Sequence, residues 1–190
     1  MREIREILKQ IEELPSGEKA VLATVVELKG SGYRLPGARM LITANGDAFG
    51  TVSGGCLEAD IMERAKRVLA SAEAEVFTYD TTADENSVFS LNMGCRGVMR
   101  VLLEAVGRGS EIVAALRRVW DTRSAVASAV LIGGERPGGR IFLNGPSGAS
   151  PDDPEGLCGP YPSLCEDLRT FAGSASNYET VSYATPGGNA

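Results

Sequence analysis

The chain has 190 residues, 43% of them hydrophobic and 23% charged, a globular composition that argues against global disorder. It contains no histidine, so no Ser–His or Cys–His dyad, no imidazole base and no His-ligated zinc can be built from it. A net charge of -6 repels phosphate overall and speaks against a general nucleic-acid or anionic-membrane binder.

Ile4, Ile7, Leu8, Ile11 and Leu14 recur at helical spacing and predict an amphipathic opening helix that stops at Pro15-Ser16-Gly17. Its alternating charges do not read as a signal peptide, and no segment reaches the ~20 apolar residues of a membrane span. A cytoplasmic protein whose four cysteines are thiols is therefore expected.

Ala20 to Leu28 is rich in β-branched residues and reads as a buried strand. Arg39 to Thr43 reads as a second strand, and Asn45-Gly46 turns the chain back into a third over Asp47 to Val52. After Ser53-Gly54-Gly55, the positions Leu57, Ile61, Ala65, Val68 and Leu69 define a helix face. Strands follow at Glu75 to Asp80 and Val98 to Ala105, separated by a polar loop from Thr81 and the tight turn Gly94-Cys95-Arg96-Gly97.

Gly107-Arg108-Gly109 is the best internal boundary. Beyond it come a helix over Ile112 to Trp120, a strand over Ala125 to Ile132, a hairpin loop over Gly133 to Gly139 and a returning strand over Arg140 to Leu143. Asn144 to Pro162 is dense in Gly, Pro, Ser and Asp and reads as a long loop; Glu179 to Thr185 reads as a last strand. The fold class expected is α+β, a mixed sheet with a hairpin, packed with helices.

Three segments could carry chemistry. In Gly50-Thr-Val-Ser53-Gly54-Gly55-Cys56-Leu-Glu58 a strand runs through a Gly-Gly turn into a helix, so Cys56 is placed where amides and the helix dipole favour anions and thiolate. An ordinary tight turn with a small buried residue has the same pattern. Gly94-Cys95-Arg96-Gly97 repeats the arrangement with a cation beside the thiol. Gly30-Ser31-Gly-Tyr-Arg34-Leu-Pro-Gly37-Ala-Arg39-Met40 is a loop carrying two arginines between two strands, with a hydroxyl and guanidinium groups suited to phosphate or carboxylate; a solvated surface loop reads the same way. The cysteine spacings give no C-x-x-C pair and no zinc signature, and Cys158 and Cys165 receive no role.

In this order, G-S-x-x-R-x-x-G, S-G-G-C-x-E, Tyr79-Asp80 and Gly94-Cys95-Arg96-Gly97 resemble the amino-terminal domain of the XdhC/CoxI family over roughly the first hundred residues. Family members often have glycine at the place of Arg96, and many continue into a Rossmann-like domain. The resemblance implies an XdhC/CoxI-type domain over 1–106. Residues 107–190 are then expected as an extension of the same domain, with its loop-rich stretch at 144–162 and no Rossmann-like domain.

It further implies a molybdenum-cofactor chaperone that binds molybdopterin, assists its sulfuration and delivers it to a xanthine dehydrogenase-type molybdenum enzyme. Its partners would be that enzyme, a sulfur donor such as a cysteine desulfurase, and possible second copies of itself as a homodimer. Gly30, Ser31, Arg34, Ser53, Gly54, Gly55, Cys56, Glu58, Gly94, Cys95 and Arg96 are the implied cofactor-binding residues. Cys56 and Cys95 would act at the molybdenum or its sulfur donor, in keeping with the softness of that metal. Two other readings stay open: a cysteine-dependent redox or transferase enzyme acting on a small anion through Cys56, and a non-catalytic interaction subunit.

Overall fold

A computed structural model describes residues 2–81, 97–122, 126–134, 137–144, 157–158, 162–172 and 181. The chain divides into two compact units, Met1–Val113 and Ala114–Ala190. The expected last strand at 179–185 and the turn Gly94-Cys95-Arg96 lie outside the described residues, apart from Val181.

In the first unit, α1 (Arg2–Glu13), β1 (Ala20–Gly30), β2 (Arg39–Ile42), β3 (Ala48–Gly50), α2 (Glu58–Ser71), β4 (Glu75–Asp80) and β5 (Gly97–Val106) follow in chain order. The strands form one sheet in the order β3-β2-β1-β5-β4. The α+β class holds, but the sheet is antiparallel at every described pairing rather than mixed. The reason lies in α2. It carries the chain from β3 at one edge to β4 at the other, so these two strands never become neighbours, and β5 then fits antiparallel between β4 and β1. The Asn45-Gly46 turn is formed as expected, with the Thr43 and Asp47 backbones closing β2 onto β3 at 2.9 Å.

Strand alternation sorts the core. Val21, Ala23 and Val25 of β1 face the same side as Met40, Val101 and Leu103, and there they meet Ile61, Ala65 and Val68 of α2. Burial of a side chain such as Ile61 contributes about 1.5–3 kcal/mol. Ile7 and Ile11 are fully buried outside that cluster and seat α1, which packs on β2 and β3.

A β-bulge between Val25 and Glu27 shifts the pairing of β1 with β5. It reverses the alternation, so that Leu28 rejoins the face occupied by Met99 while Glu27 pairs with Arg100 on the other. The outer end of β1, and with it the loop from Ser31, is aimed by this one extra residue.

The helix α3 (Glu111–Thr122) starts in the first unit and runs into the second. In the second unit, β6 (Val126–Val130) and β7 (Arg140–Asn144) form the expected hairpin. A helix not expected from the sequence, α4 (Pro162–Ala172), packs on it with Leu164, Cys165 and Leu168 buried against Ile141 and Leu143. Proline is suited to the first helical position, where its missing N–H leaves no hydrogen bond unmade. Cys158 and Cys165 are joined as a disulfide with Cα atoms 5.9 Å apart, which corrects the expectation of four thiols. The first turn of α4 brings Cys165 back beside the turn at Leu157-Cys158, a proximity that a sequence separation of seven through a Gly- and Pro-containing stretch does not reveal.

Candidate functional site

The turn after β3 is built around an internal carboxylate. Glu58 Oε1 accepts the Ser53 N–H at 2.9 Å and the Thr51 hydroxyl at 2.5 Å, while Oε2 accepts the Ser53 hydroxyl. Ser53 Oγ accepts in turn the N–H groups of Gly55 at 3.2 Å and Leu57 at 3.1 Å. This is the reciprocal logic of a capping box, stretched over a longer turn. Burial acts to raise the Glu58 pKa, but the hydrogen bonds from Ser53, Thr51 and the backbone outweigh it and bring the value down to about 2.

The consequence for anion binding is direct. The helix begins at Glu58 with Leu57 as its cap, so Cys56 precedes the cap instead of opening the helix. The Gly55 amide is taken by Ser53, and a negative side chain already sits at this helix start. Glu58 builds the turn, and its charge opposes a phosphate there.

What the turn presents outward is Cys56. Its thiol is free and exposed, and it donates to Ser53 Oγ at 3.7 Å. A narrow cleft joins Cys56 and Ser53 to Ser31 and Tyr33 from the loop after β1, and to Thr81 and Gly97 at the facing ends of β4 and β5. Its interior of about 20 Å³ has room for roughly one water molecule, so a larger ligand would lie across its mouth.

Two contacts give the cleft its shape. Thr81 and Gly97 clasp the ends of β4 and β5: the Thr81 N–H and hydroxyl reach the Gly97 carbonyl at 3.0 and 2.8 Å, and the Gly97 N–H reaches Thr81 Oγ1 at 3.0 Å. Gly97 also lies against the end of β1, where a Cβ would come within 2.6 Å of the Lys29 and Ser31 carbonyl oxygens. Tyr79 lines one side with its hydroxyl donating to Asp60 at 2.7 Å, and Arg64 pairs with the same carboxylate at 2.5 Å. Burial, then the Asp60 carboxylate, push the Tyr79 pKa up. Asp60 is pulled down despite burial, by its hydrogen bonds to Arg64 and Tyr79. The Asp60–Arg64 spacing of one helical turn is visible in the sequence; the Tyr79 partner, nineteen positions away, is not.

The sequence-predicted residues therefore separate. Ser31, Ser53 and Cys56 share the cleft, and Gly30 pairs in register with Gly97, one of its lining residues. Arg34 points elsewhere: Nη2 pairs with Glu3 Oε2 at 2.5 Å, and Glu3 Oε1 accepts the Arg39 N–H at 3.1 Å. Thr81, which the sequence offers only as the start of a loop, is the residue missed. Gly94, Cys95 and Arg96 are outside the described residues, and Cys95 precedes Gly97 by two positions in the chain.

Comparison with known proteins falls on this part of the chain. Residues 14–80, which include Ser31, Arg34 and the whole Ser53–Glu58 turn, match the XdhC and CoxI family. This segment is XdhC and CoxI family sequence. The chain is 34% identical over 93 residues to a Bacillus subtilis (strain 168) protein named as a probable subunit of xanthine dehydrogenase, covering 49% of this chain and 28% of that one. It is 32% identical over 109 residues to the Escherichia coli (strain K12) molybdenum cofactor insertion chaperone PaoD, covering 57% and 33%. A crystal structure described as a xanthine dehydrogenase from Bacillus halodurans superposes with a TM-score of 0.60 at 28% identity, over 76% of this chain and 43% of that one. The chain thus spans about a third of the length of the curated relatives it matches. Among the described residues no helix is long and apolar enough to cross a membrane.

Proposed function

We propose that this XdhC/CoxI-type chain is a molybdenum-cofactor insertion chaperone, with the cleft beside Cys56 as the place where the cofactor is held. One observation carries the reading: the exposed Cys56 thiol stands where the loop at Ser31, the turn at Ser53 and the start of β5 at Gly97 meet, inside the segment that matches the family. The name of PaoD supports a role in cofactor insertion.

The donor set suits the cargo. A thiolate is a soft ligand, and molybdopterin carries a soft, sulfur-ligated metal together with a phosphate. Cys56 would hold the metal end or its sulfur, and the Ser31 hydroxyl would serve a polar end. Cys95, two positions ahead of Gly97, belongs to the same reading as the second thiol; Gly94 and Arg96 flank it. Arg34, tied to Glu3, enters as the residue that fixes the loop carrying Ser31. The client is a xanthine dehydrogenase-type enzyme in the cytoplasm. Sulfuration by a cysteine desulfurase and a homodimeric state complete the proposal.

The test is expression of the wild-type chain, Cys56→Ser and Cys56→Ala in a host that makes the cofactor. Molybdenum is then measured by elemental analysis, and pterin by the fluorescence of its oxidised form. Wild type should carry both and activate a cofactor-free client, and both variants should lose most of the bound molybdenum while keeping their melting temperature. A wild type that carries neither molybdenum nor pterin overturns the reading.

A further inference from the structure

We propose that Tyr33 is a stacking shelf for the planar pterin ring of the cofactor; this inference rests on the chaperone reading above. Tyr33 is 75% exposed, the most exposed large hydrophobic side chain among the described residues. Exposure alone needs no explanation. The position of the ring does.

A Cβ placed on Gly54 would lie 3.2 Å from Tyr33 Cγ and 3.3 Å from both Cδ atoms. Near-equal distances to these three atoms put Gly54 over the face of the ring, not at its edge. The ring is therefore laid flat on the Gly-Gly turn, with Gly54 as a seat that any other residue would fill. One face is covered by backbone and the other is open to solvent.

Tyr33 also borders two depressions. One is the cleft with Cys56, Ser53 and Ser31. The other is a hollow of about 440 Å³ whose walls include Glu3, Arg34, Pro36 and Arg39. The cleft is too small to enclose a cofactor, so a ligand held by Cys56 must extend over its rim, and Tyr33 lines that rim. A flat, nitrogen-rich bicyclic ring lying there gains face-to-face contact with the phenol ring. Such stacking on an aromatic side chain changes affinity by about 5- to 140-fold when the ring is removed.

The experiment is a fluorescence titration of 6-hydroxymethylpterin with wild type, Tyr33→Phe, Tyr33→Ala and Leu35→Ala. Leu35 lies on the same loop at 64% exposure and controls for loss of an exposed apolar group. Wild type and Tyr33→Phe should quench the probe and bind it within about twofold of each other, because the face and not the hydroxyl makes the contact. Tyr33→Ala should bind about tenfold more weakly with an unchanged melting temperature, and Leu35→Ala should match wild type. Equal binding by wild type and Tyr33→Ala, a matching loss in Leu35→Ala, or no binding of the probe by wild type overturns the shelf; any of these would also be seen if the ring served a protein partner. The two readings fail separately. Wild type and Tyr33→Ala carrying equal amounts of molybdenum and pterin would keep the chaperone and remove the shelf. Tyr33-dependent probe binding by a wild type that never carries molybdenum would keep the shelf and remove the chaperone.

Discussion

The carboxylate of Glu58 and the backbone and hydroxyl of Ser53 hold each other across the turn after β3, and this pairing is what exposes Cys56. Ser53 is only 3% exposed, so its polar groups have no water to fall back on. Glu58→Gln should therefore destabilise the first unit by about 1–3 kcal/mol in urea denaturation at pH 7. The pH dependence has a definite sign. The folded pKa is depressed from 4.5 to about 2, so the stabilisation is complete above about 4.5 and is lost as pH falls towards 2. Partial solvent access limits it to roughly 1–2 kcal/mol. The gap between wild type and Glu58→Gln should shrink from pH 6 to pH 3; a gap that stays constant would mean that the charge is not what holds the turn.

Arg34 and Glu3 form the second relationship that bears on the site, because they tie the loop of Ser31 and Tyr33 to α1. Arg34→Ala should cost about 0.5–1.5 kcal/mol, in the range of a partly buried charged hydrogen bond. Glu3→Ala should cost more, since Glu3 also receives the Arg39 N–H. The double variant should lose less than the sum of the two single losses. Additive losses in a double-mutant cycle would show that the two side chains act independently.

The central elements were legible because each rests on a local signal. Val21, Ala23 and Val25 stand in a β-branched apolar run, Asn45-Gly46 dictates a hairpin, and Ile61, Ala65 and Val68 keep helical spacing. α4 was not legible, because its buried positions Leu164, Cys165 and Leu168 span little more than one turn and follow a Pro- and Gly-rich stretch. The site was half legible. Ser31, Ser53 and Cys56 stood out singly as turn residues, and the sheet order then brought them to one cleft. The inward use of Glu58 and the pairing of Arg34 with Glu3 are tertiary facts: a carboxylate or guanidinium in a turn looks the same in sequence whether it binds a ligand or the protein itself.

The Cys158–Cys165 disulfide makes a prediction for the second unit. Denatured, unreduced protein treated with iodoacetamide should give the tryptic peptide Ile141–Arg169 unalkylated and lighter by two hydrogens than its reduced form. Closure of so short a loop stabilises by about 2–3 kcal/mol, so reductant should lower the unfolding midpoint of the second unit by a corresponding amount. Recovery of both cysteines alkylated without reductant would rule the bond out.

Gly97 offers the sharpest test of how the cleft is assembled. It opens β5, pairs with Gly30 across the sheet, and takes part in all three hydrogen bonds of the Thr81 clasp. A Cβ at this position would stand 2.6 Å from two backbone carbonyl oxygens, those of Lys29 and Ser31, and 3.1 Å from the Ser31 nitrogen. Backbone held in a sheet cannot step aside as a side-chain tip can, so the end of β1 must separate from β5. Gly97→Ala should cost about 2–4 kcal/mol, in the range of overpacking with a lost hydrogen bond. Gly109→Ala, where a Cβ meets nothing within 4 Å, should stay within about 0.5 kcal/mol of wild type. Hydrogen exchange separates local from global damage. The amides of β1 around Leu28 to Gly30 should exchange faster in Gly97→Ala by a larger factor than those around Leu22 and Ala23, which pair with β5 at its far end. A variant as stable as Gly109→Ala, with unchanged exchange at Leu28 to Gly30, would mean that the close approach of the two strands is not what sets the cleft.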